Sequence, residues 1–219
     1  MNDIKNINRY IDYTILRPDA KNEDIIKLCH EANTYRFKSV CVNAAHIVLV
    51  KEHINPEVNI CSVISFPLGA TTTNVKVYET KEAISLGANE IDMVINIGML
   101  KDANHTYVYN EITEISDTCH EKKAILKVII ETCLLTDNEI ITACNIAQKA
   151  GADFVKTSTG FSVKGADIEK EKLMRKIVGP HMGVKASGGI RTYADAVAML
   201  EAGADRLGTS AVIQVTSNR

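Results

Sequence analysis

The 219-residue sequence has no long hydrophobic run. Its most apolar stretches, such as residues 44–50, are far too short to span a bilayer, so a membrane-spanning role is excluded. The opening Met1-Asn2-Asp3-Ile4-Lys5 lacks the apolar core of a secretion signal, and a cytoplasmic protein is expected. Charge of one sign is missing too: 25 basic residues against 27 acidic ones give a formal net charge of −2. Without a basic stripe, nucleic acid is a poor partner, whereas a local cluster can still hold a small anion. The six cysteines (29, 41, 61, 119, 133 and 144) sit singly in apolar segments with no Cys-x-x-Cys, as reduced buried thiols do. The histidines show neither His-x-His nor His-x-x-x-His spacing, and no metal or other cofactor is expected. No Pro/Gly/Ser linker divides the chain, so residues 1–219 are read as a single catalytic domain.

What is present is a phrase used three times. Leu86-Gly87-Ala88-Asn89 leads into Glu90-Ile91-Asp92-Met93-Val94-Ile95, Ala150-Gly151-Ala152-Asp153 into Phe154-Val155-Lys156-Thr157, and Ala202-Gly203-Ala204-Asp205 into Arg206-Leu207-Gly208. Each reads as a helix closed by a left-handed glycine, a tight turn and a short apolar strand. Helical patterns fill the gaps: residues 22–33, residues 168–178 before Gly179-Pro180, and two helices opened by the capping boxes Thr136-x-x-Glu139 and Thr192-x-x-Asp195. Strands are expected near 11–16, 38–43, 59–66, 90–96, 125–131, 153–158, 182–186 and 206–210. Eight strand–helix units predict an α/β fold, a closed eight-stranded parallel (β/α)8 TIM barrel. The open doubly wound sheet is the alternative, but its Gly-x-Gly-x-x-Gly fingerprint is absent.

Barrel strands are covered on both faces and should read as plain apolar runs. Asp92, Lys127, Lys156 and Lys185 break that rule on four of them. A buried charge costs several kcal/mol unless paired, so a set converging on one interior points to chemistry. Lysine must lose its proton to attack a carbonyl, and a neighbouring ammonium in a desolvated site favours that loss. Lys156, followed by Thr157-Ser158-Thr159-Gly160, is read as the nucleophile of a Schiff base and Lys185 as the cation that keeps it neutral. Asp92 then moves protons, directly or through a water. Lys127 and Glu131 are expected to pair with each other or with the active-site charges. Gly188, Gly189 and Arg191 after strand 7, with Gly208 and Ser210 after strand 8, match the usual phosphate site of a barrel.

With these residues placed, the sequence resembles the deoxyribose-phosphate aldolase family over nearly its whole length. The matching segments include Ile11-Asp12-x-Thr14, Val40-Cys41-Val42-Asn43, Phe66-Pro67-Leu68-Gly69-Ala70, the run from Glu90 to Asn96, Lys127 to Thr132, Phe154 to Gly160 and Lys185 to Arg191. The resemblance implies reversible cleavage of 2-deoxy-D-ribose 5-phosphate to acetaldehyde and D-glyceraldehyde 3-phosphate. It implies Lys156 as the Schiff-base lysine, Asp92 as proton donor or acceptor, and Lys185 as second lysine. Gly160, Gly188, Gly189 and Ser210 would hold the phosphate, and Asp12, Thr14, Cys41 and Thr157 would stand behind the reacting groups. A homo-oligomer, a dimer, is expected by analogy.

The sequence departs from the family pattern at Tyr13 and Arg17, where histidine and lysine are usual, and at Ala44, where proline is common. Ser65 replaces a common glycine, Ala211 a frequent second serine, and the chain ends at Arg219 without the terminal tyrosine of longer members. Two rival readings follow: a barrel lyase or isomerase that handles a sugar phosphate without an imine, and a non-catalytic barrel that only binds one.

Overall fold

The structure, a computed structural model, describes residues 4–216. The first three residues and the chain end at Arg219, on which two of the expectations above bear, lie outside the described residues. Eight parallel strands close on themselves in sequence order, β1 (Ile11–Ile15), β2 (Ser39–Val42), β3 (Asn59–Ile64), β4 (Glu90–Val94), β5 (Ile125–Ile129), β6 (Phe154–Lys156), β7 (Gly183–Ser187) and β8 (Arg206–Thr209), with β8 pairing β1. Outside them lie α1 (Asn22–Tyr35), α2 (Ile47–His53), α3 (Thr73–Leu86), α4 (Ile97–Lys101), α5 (His105–His120), α6 (Asp137–Lys149), α7 (Ile168–Val178), α8 (Tyr193–Ala202) and α9 (Val212–Thr216). This is the expected (β/α)8 barrel, and all eight expected strands are found. No helix among the described residues is long and apolar enough to cross a membrane.

The repeated Gly-Ala-Asn/Asp joints do more than turn the chain. Gly87, Gly151 and Gly203 take φ of 127°, 81° and 117°, the left-handed region that a β-carbon disfavours. The next acid or amide then reaches sideways to the preceding strand. Asn89 Oδ1 accepts from Ile60 N at 2.9 Å, Asp153 Oδ2 from Leu126 N at 2.8 Å and Asp205 Oδ2 from Val184 N at 2.9 Å. Thus β4, β6 and β8 each enter the sheet by satisfying a donor at the foot of the strand before them. Both predicted capping boxes are formed, with Thr136 and Thr192 each accepting from the third helical N–H.

The main apolar core lies between barrel and helices, as in α1, which buries Ile25, Leu28, Cys29 and Ala32. Helix α3 is turned inside out: it buries Lys76, Thr80 and Ala83 and exposes Val75 and Tyr78. Lys76 Nζ donates to Val94 O at 2.7 Å and lies 2.8 Å from Glu111 Oε1, while Glu111 Oε2 accepts from Asn96 N at 3.0 Å. This fully buried pair fastens α3 and α5 to the end of β4. All six cysteines are free, five buried and Cys133 half-buried, as expected of reduced thiols.

Candidate active site

A strand places alternate side chains inside the barrel, and alternate strands fill successive layers of four. Here those layers are polar. Ser39, Glu90, Phe154 and Arg206, from β2, β4, β6 and β8, form the lowest. Arg206 donates to Ser39 and Glu90, and its guanidinium lies 5.9 Å from the Phe154 ring centroid. Asp12, Cys61, Lys127 and Lys185, from the odd strands, form the second, and Cys41, Asp92, Lys156 and Gly208 the third. Gly208 is empty for a reason: a β-carbon there would come within 3.3 Å of Lys185 Cε and 2.9 Å of Ser187 Cβ.

Asp92 is the hub. Its Oδ1 accepts from Lys127 Nζ at 2.8 Å and from Cys61 Sγ at 3.1 Å. Its Oδ2 accepts from both Lys156 Nζ and Lys185 Nζ at 2.7 Å. Lys185 makes a second ion contact of 2.5 Å with Asp12 Oδ2, and Lys127 one of 2.6 Å with Glu90 Oε2. Arg206 holds both outer acids, through Nε to Asp12 Oδ1 at 2.7 Å and Nη2 to Glu90 Oε2 at 2.8 Å. Burial by itself would raise the Asp92 carboxyl, but Lys127, Lys156 and Lys185 override it and hold it well below the usual carboxylate range. Burial likewise works against the Lys185 ammonium, and Asp12 and Asp92 override it, so Lys185 stays a cation. The same contest, won by Asp92, Cys61 and Glu90, keeps Lys127 charged.

Of these lysines, Lys156 is the one that reaches the open. It sits on the floor of a cavity of about 500 Å³ at the carboxyl ends of the strands, among Thr14, Arg17, Gly160, Phe161, Gly188, Gly189, Arg191, Gly208 and Ser210. Every phosphate-site residue named from sequence therefore lines the same cavity as the expected nucleophile. Gly188 sits where two loops touch, its added β-carbon meeting Gly165 Cα at 2.9 Å and Gly160 Cα at 3.3 Å. Gly189, with φ of 81°, has open space on its side-chain side. The backbone N–H of Arg191 is taken by Asp195 Oδ2 at 3.0 Å, which leaves its guanidinium as the group it can offer an anion.

Three expectations are refined by the geometry. Glu131 joins neither Lys127 nor the other active-site charges; it accepts from Thr159 N at 3.2 Å and from the Thr159 hydroxyl, holding the loop after β6. Lys127 turns to Asp92 and Glu90 instead. Thr157 is buried against β7, its Oγ1 accepting from Ser187 N at 3.1 Å, so it ties strands and does not face the cavity. Sequence reasoning missed Glu90, Arg206 and Cys61. The signal was there for the first two: each lies two residues before an inward position already singled out, Asp92 or Gly208. Cys41, Cys61 and Asp92 offer one ligand atom apiece within 4.8 Å of one another, a donor set a soft cation can use. Because three lysine side chains already occupy both Asp92 oxygens, the residues do not favour a metal there.

The model of the DeoC/LacD family aldolases matches residues 8–213. The chain belongs to this aldolase family. It is 56% identical over 214 residues to the deoxyribose-phosphate aldolase of Thermococcus kodakarensis, with 96% of each chain covered. To the deoxyribose-phosphate aldolase of Bacillus cytotoxicus it is 53% identical over 214 residues, 97% of this chain and 96% of the relative. Among solved structures, the tetrameric deoxyribose phosphate aldolase of Aeropyrum pernix superposes with a TM-score of 0.90 at 35% identity, over 99% of this chain and 92% of that one.

Two departures from the family pattern have a local explanation. Tyr13 follows Asp12 and so points outward: its hydroxyl donates to Glu31 Oε2 of α1 at 2.6 Å, and its ring meets Phe37 edge-on at 5.8 Å. Its hydroxyl and ring are thus engaged by α1 and Phe37. Ser65 carries φ of 48°, a conformation glycine adopts without strain. Its N–H donates to Glu79 Oε2 at 2.6 Å and its hydroxyl bonds Thr71, interactions that hold a serine in that position.

Proposed function

We propose that this aldolase cleaves 2-deoxy-D-ribose 5-phosphate reversibly to acetaldehyde and D-glyceraldehyde 3-phosphate through a Schiff base on Lys156. The observation that carries the residue assignment is that Lys156 alone among the buried lysines both touches Asp92 and lines the cavity. Its amine adds to the aldehyde carbon of the open-chain sugar, and loss of water gives an iminium. The C3 hydroxyl then gives up its proton, the C2–C3 bond breaks, and its electron pair enters the nitrogen as an enamine. D-glyceraldehyde 3-phosphate leaves; protonation of the enamine carbon and hydrolysis release acetaldehyde and restore the amine. Asp92 begins this cycle as a carboxylate and so starts as the proton acceptor, acting directly or through a water. Lys185 remains an ammonium and supplies the field that disfavours a second positive charge beside it.

The far end of the cavity, at Gly188, Gly189, Arg191 and Ser210 with Gly160 opposite, takes the phosphate. The ten-residue helix α8 begins just beyond and adds the positive end of its dipole. The reading covers the whole 1–219 chain as one catalytic barrel, active in the cytoplasm as a homo-oligomer. The tetrameric relative supports association, and light scattering on the purified protein distinguishes dimer from tetramer. Borohydride reduction in the presence of acetaldehyde, followed by peptide mapping, tests the chemistry. A two-carbon adduct on Lys156 is expected. An adduct confined to Lys185 or Lys127 would overturn the assignment, and no adduct at all would favour a barrel lyase or isomerase that works without an imine.

A further inference from the structure

Among the described residues, six of the seven charged side chains inside the barrel close a ring in which signs alternate. Arg206 contacts Asp12, Asp12 contacts Lys185, Lys185 contacts Asp92, Asp92 contacts Lys127, Lys127 contacts Glu90, and Glu90 returns to Arg206. Three cations meet three anions, so the ring is neutral. Lys156 hangs from it at Asp92 and has no counter-charge of its own. Charge closure on this scale matters because an uncompensated charge in a desolvated interior costs several kcal/mol.

We infer that Arg206 and Glu90 are positioning residues that set the pH at which Lys156 reacts, by closing this ring beneath it. Neither touches the cavity. Arg206 fixes the two acids that in turn anchor Lys185 and Lys127, and among the described residues Glu90 is the one acid besides Asp92 that pairs with Lys127. The groups facing Lys156 from the remaining elements are Asp92, Lys185, Lys127 and Asp12, the thiols of Cys41 and Cys61, and at the mouth Arg17 and Arg191. The substitutions alter none of these groups, so the ring's own charge is the variable. Removing the Arg206 cation leaves the ring one negative charge in excess, which favours the Lys156 ammonium. Neutralising Glu90 leaves one positive charge in excess, which favours the free amine.

The inference rests on the Schiff-base reading, and one experiment separates the two. The yield of the acetaldehyde adduct on Lys156 is measured by intact mass across a pH series for the full-length enzyme, Arg206→Met, Glu90→Gln and the double variant. The midpoint should move up in Arg206→Met and down in Glu90→Gln, by on the order of one pH unit each. The double variant, neutral again, should return close to the wild-type midpoint. A purely structural role lowers the melting temperature of both single variants and moves neither midpoint in opposite directions. Unchanged midpoints, or shifts of the same sign, overturn the inference while the wild-type adduct still upholds the chemistry. Should Arg206→Met fail to fold, isosteric Glu90→Gln decides by itself: a midpoint that stays or rises overturns it.

Discussion

Two groups of buried charge sit side by side in this molecule, and they are built on different arithmetic. In the helical shell, Lys76 and Glu111 are matched one to one, and backbone groups of Val94 and Asn96 add a hydrogen bond to each. Inside the barrel, three acids serve four bases, and the fourth base opens onto a cavity. Burial of a lysine is therefore no mark of chemistry. A lysine left over after the pairing is done, with a path to solvent, is the better candidate.

Breaking the barrel side of this comparison should give the largest effect. Lys156→Arg keeps a cation on Asp92 but offers no amine, so turnover should fall by about 10⁴-fold or more with the circular dichroism unchanged. Loss of folding, or retention of the borohydride adduct, would contradict the assignment. Breaking the shell side should do the reverse. Lys76→Met strands Glu111 in an apolar layer, and urea denaturation should show a loss of about 3–5 kcal/mol with kcat of the folded fraction preserved.

Glu171 sharpens the contrast, since it is a shell acid with no hydrogen-bond partner for either oxygen among the described residues. Burial, opposed by Arg175 and helped by Asp205, pushes its carboxyl up to about 8 from an ordinary value of 4.5. Between those values the unfolded chain releases the proton and the folded chain keeps it, so stability falls as pH rises from 4.5 to about 8 and then levels off. Glu171→Met should remove that slope and stabilise the protein by roughly 4–5 kcal/mol near pH 8, measured as unfolding free energy at matched pH values. A variant with the wild-type slope would place the titration elsewhere. The smallest effect belongs to the rim. Gly189→Val adds a side chain to a position with φ of 81° and nothing within 4 Å, so it projects into open space rather than into the core. Discrimination between 2-deoxyribose 5-phosphate and unphosphorylated 2-deoxyribose, as a ratio of kcat/KM values, should drop about tenfold. Equal losses on both sugars would move the phosphate away from the loop after β7.

The barrel was legible in the sequence because its joints repeat: a left-handed glycine, a small residue and a side-chain acceptor do the same work at Asn89, Asp153 and Asp205. The buried cluster around the proposed nucleophile stood out for the opposite reason, as charges in strands that should be apolar. Arg206 escaped notice because it follows an Ala-Asp turn, where an arginine reads as the exposed start of a strand. Glu90 was masked in the same way, although its spacing of two from Asp92 puts both on one face. Lys76 and Glu111 left no such trace. On a helix a charged residue is ordinarily solvated, and α3, which exposes Val75 and Tyr78 while burying Lys76, presents a hydrophobic pattern that points to the wrong face. Pairing between two helices far apart in sequence is a tertiary fact that local periodicity does not encode.

The ring has a consequence for how the chain reaches its working state. The joints link neighbours 21 to 29 residues apart, so β3 with β4, β5 with β6 and β7 with β8 can each assemble over short loops at modest entropic cost. The contact between Arg206 and Asp12 spans 194 residues, and that between Arg206 and Glu90 spans 116. Contacts of such separation form late. Until β8 docks on β1, the acids and ammoniums of the interior remain hydrated, and the ring beneath the proposed nucleophile stays open. Catalytic competence thus arrives with the final loop closure and not gradually with secondary structure, which makes the appearance of aldehyde-trapping activity a clock for barrel completion during refolding.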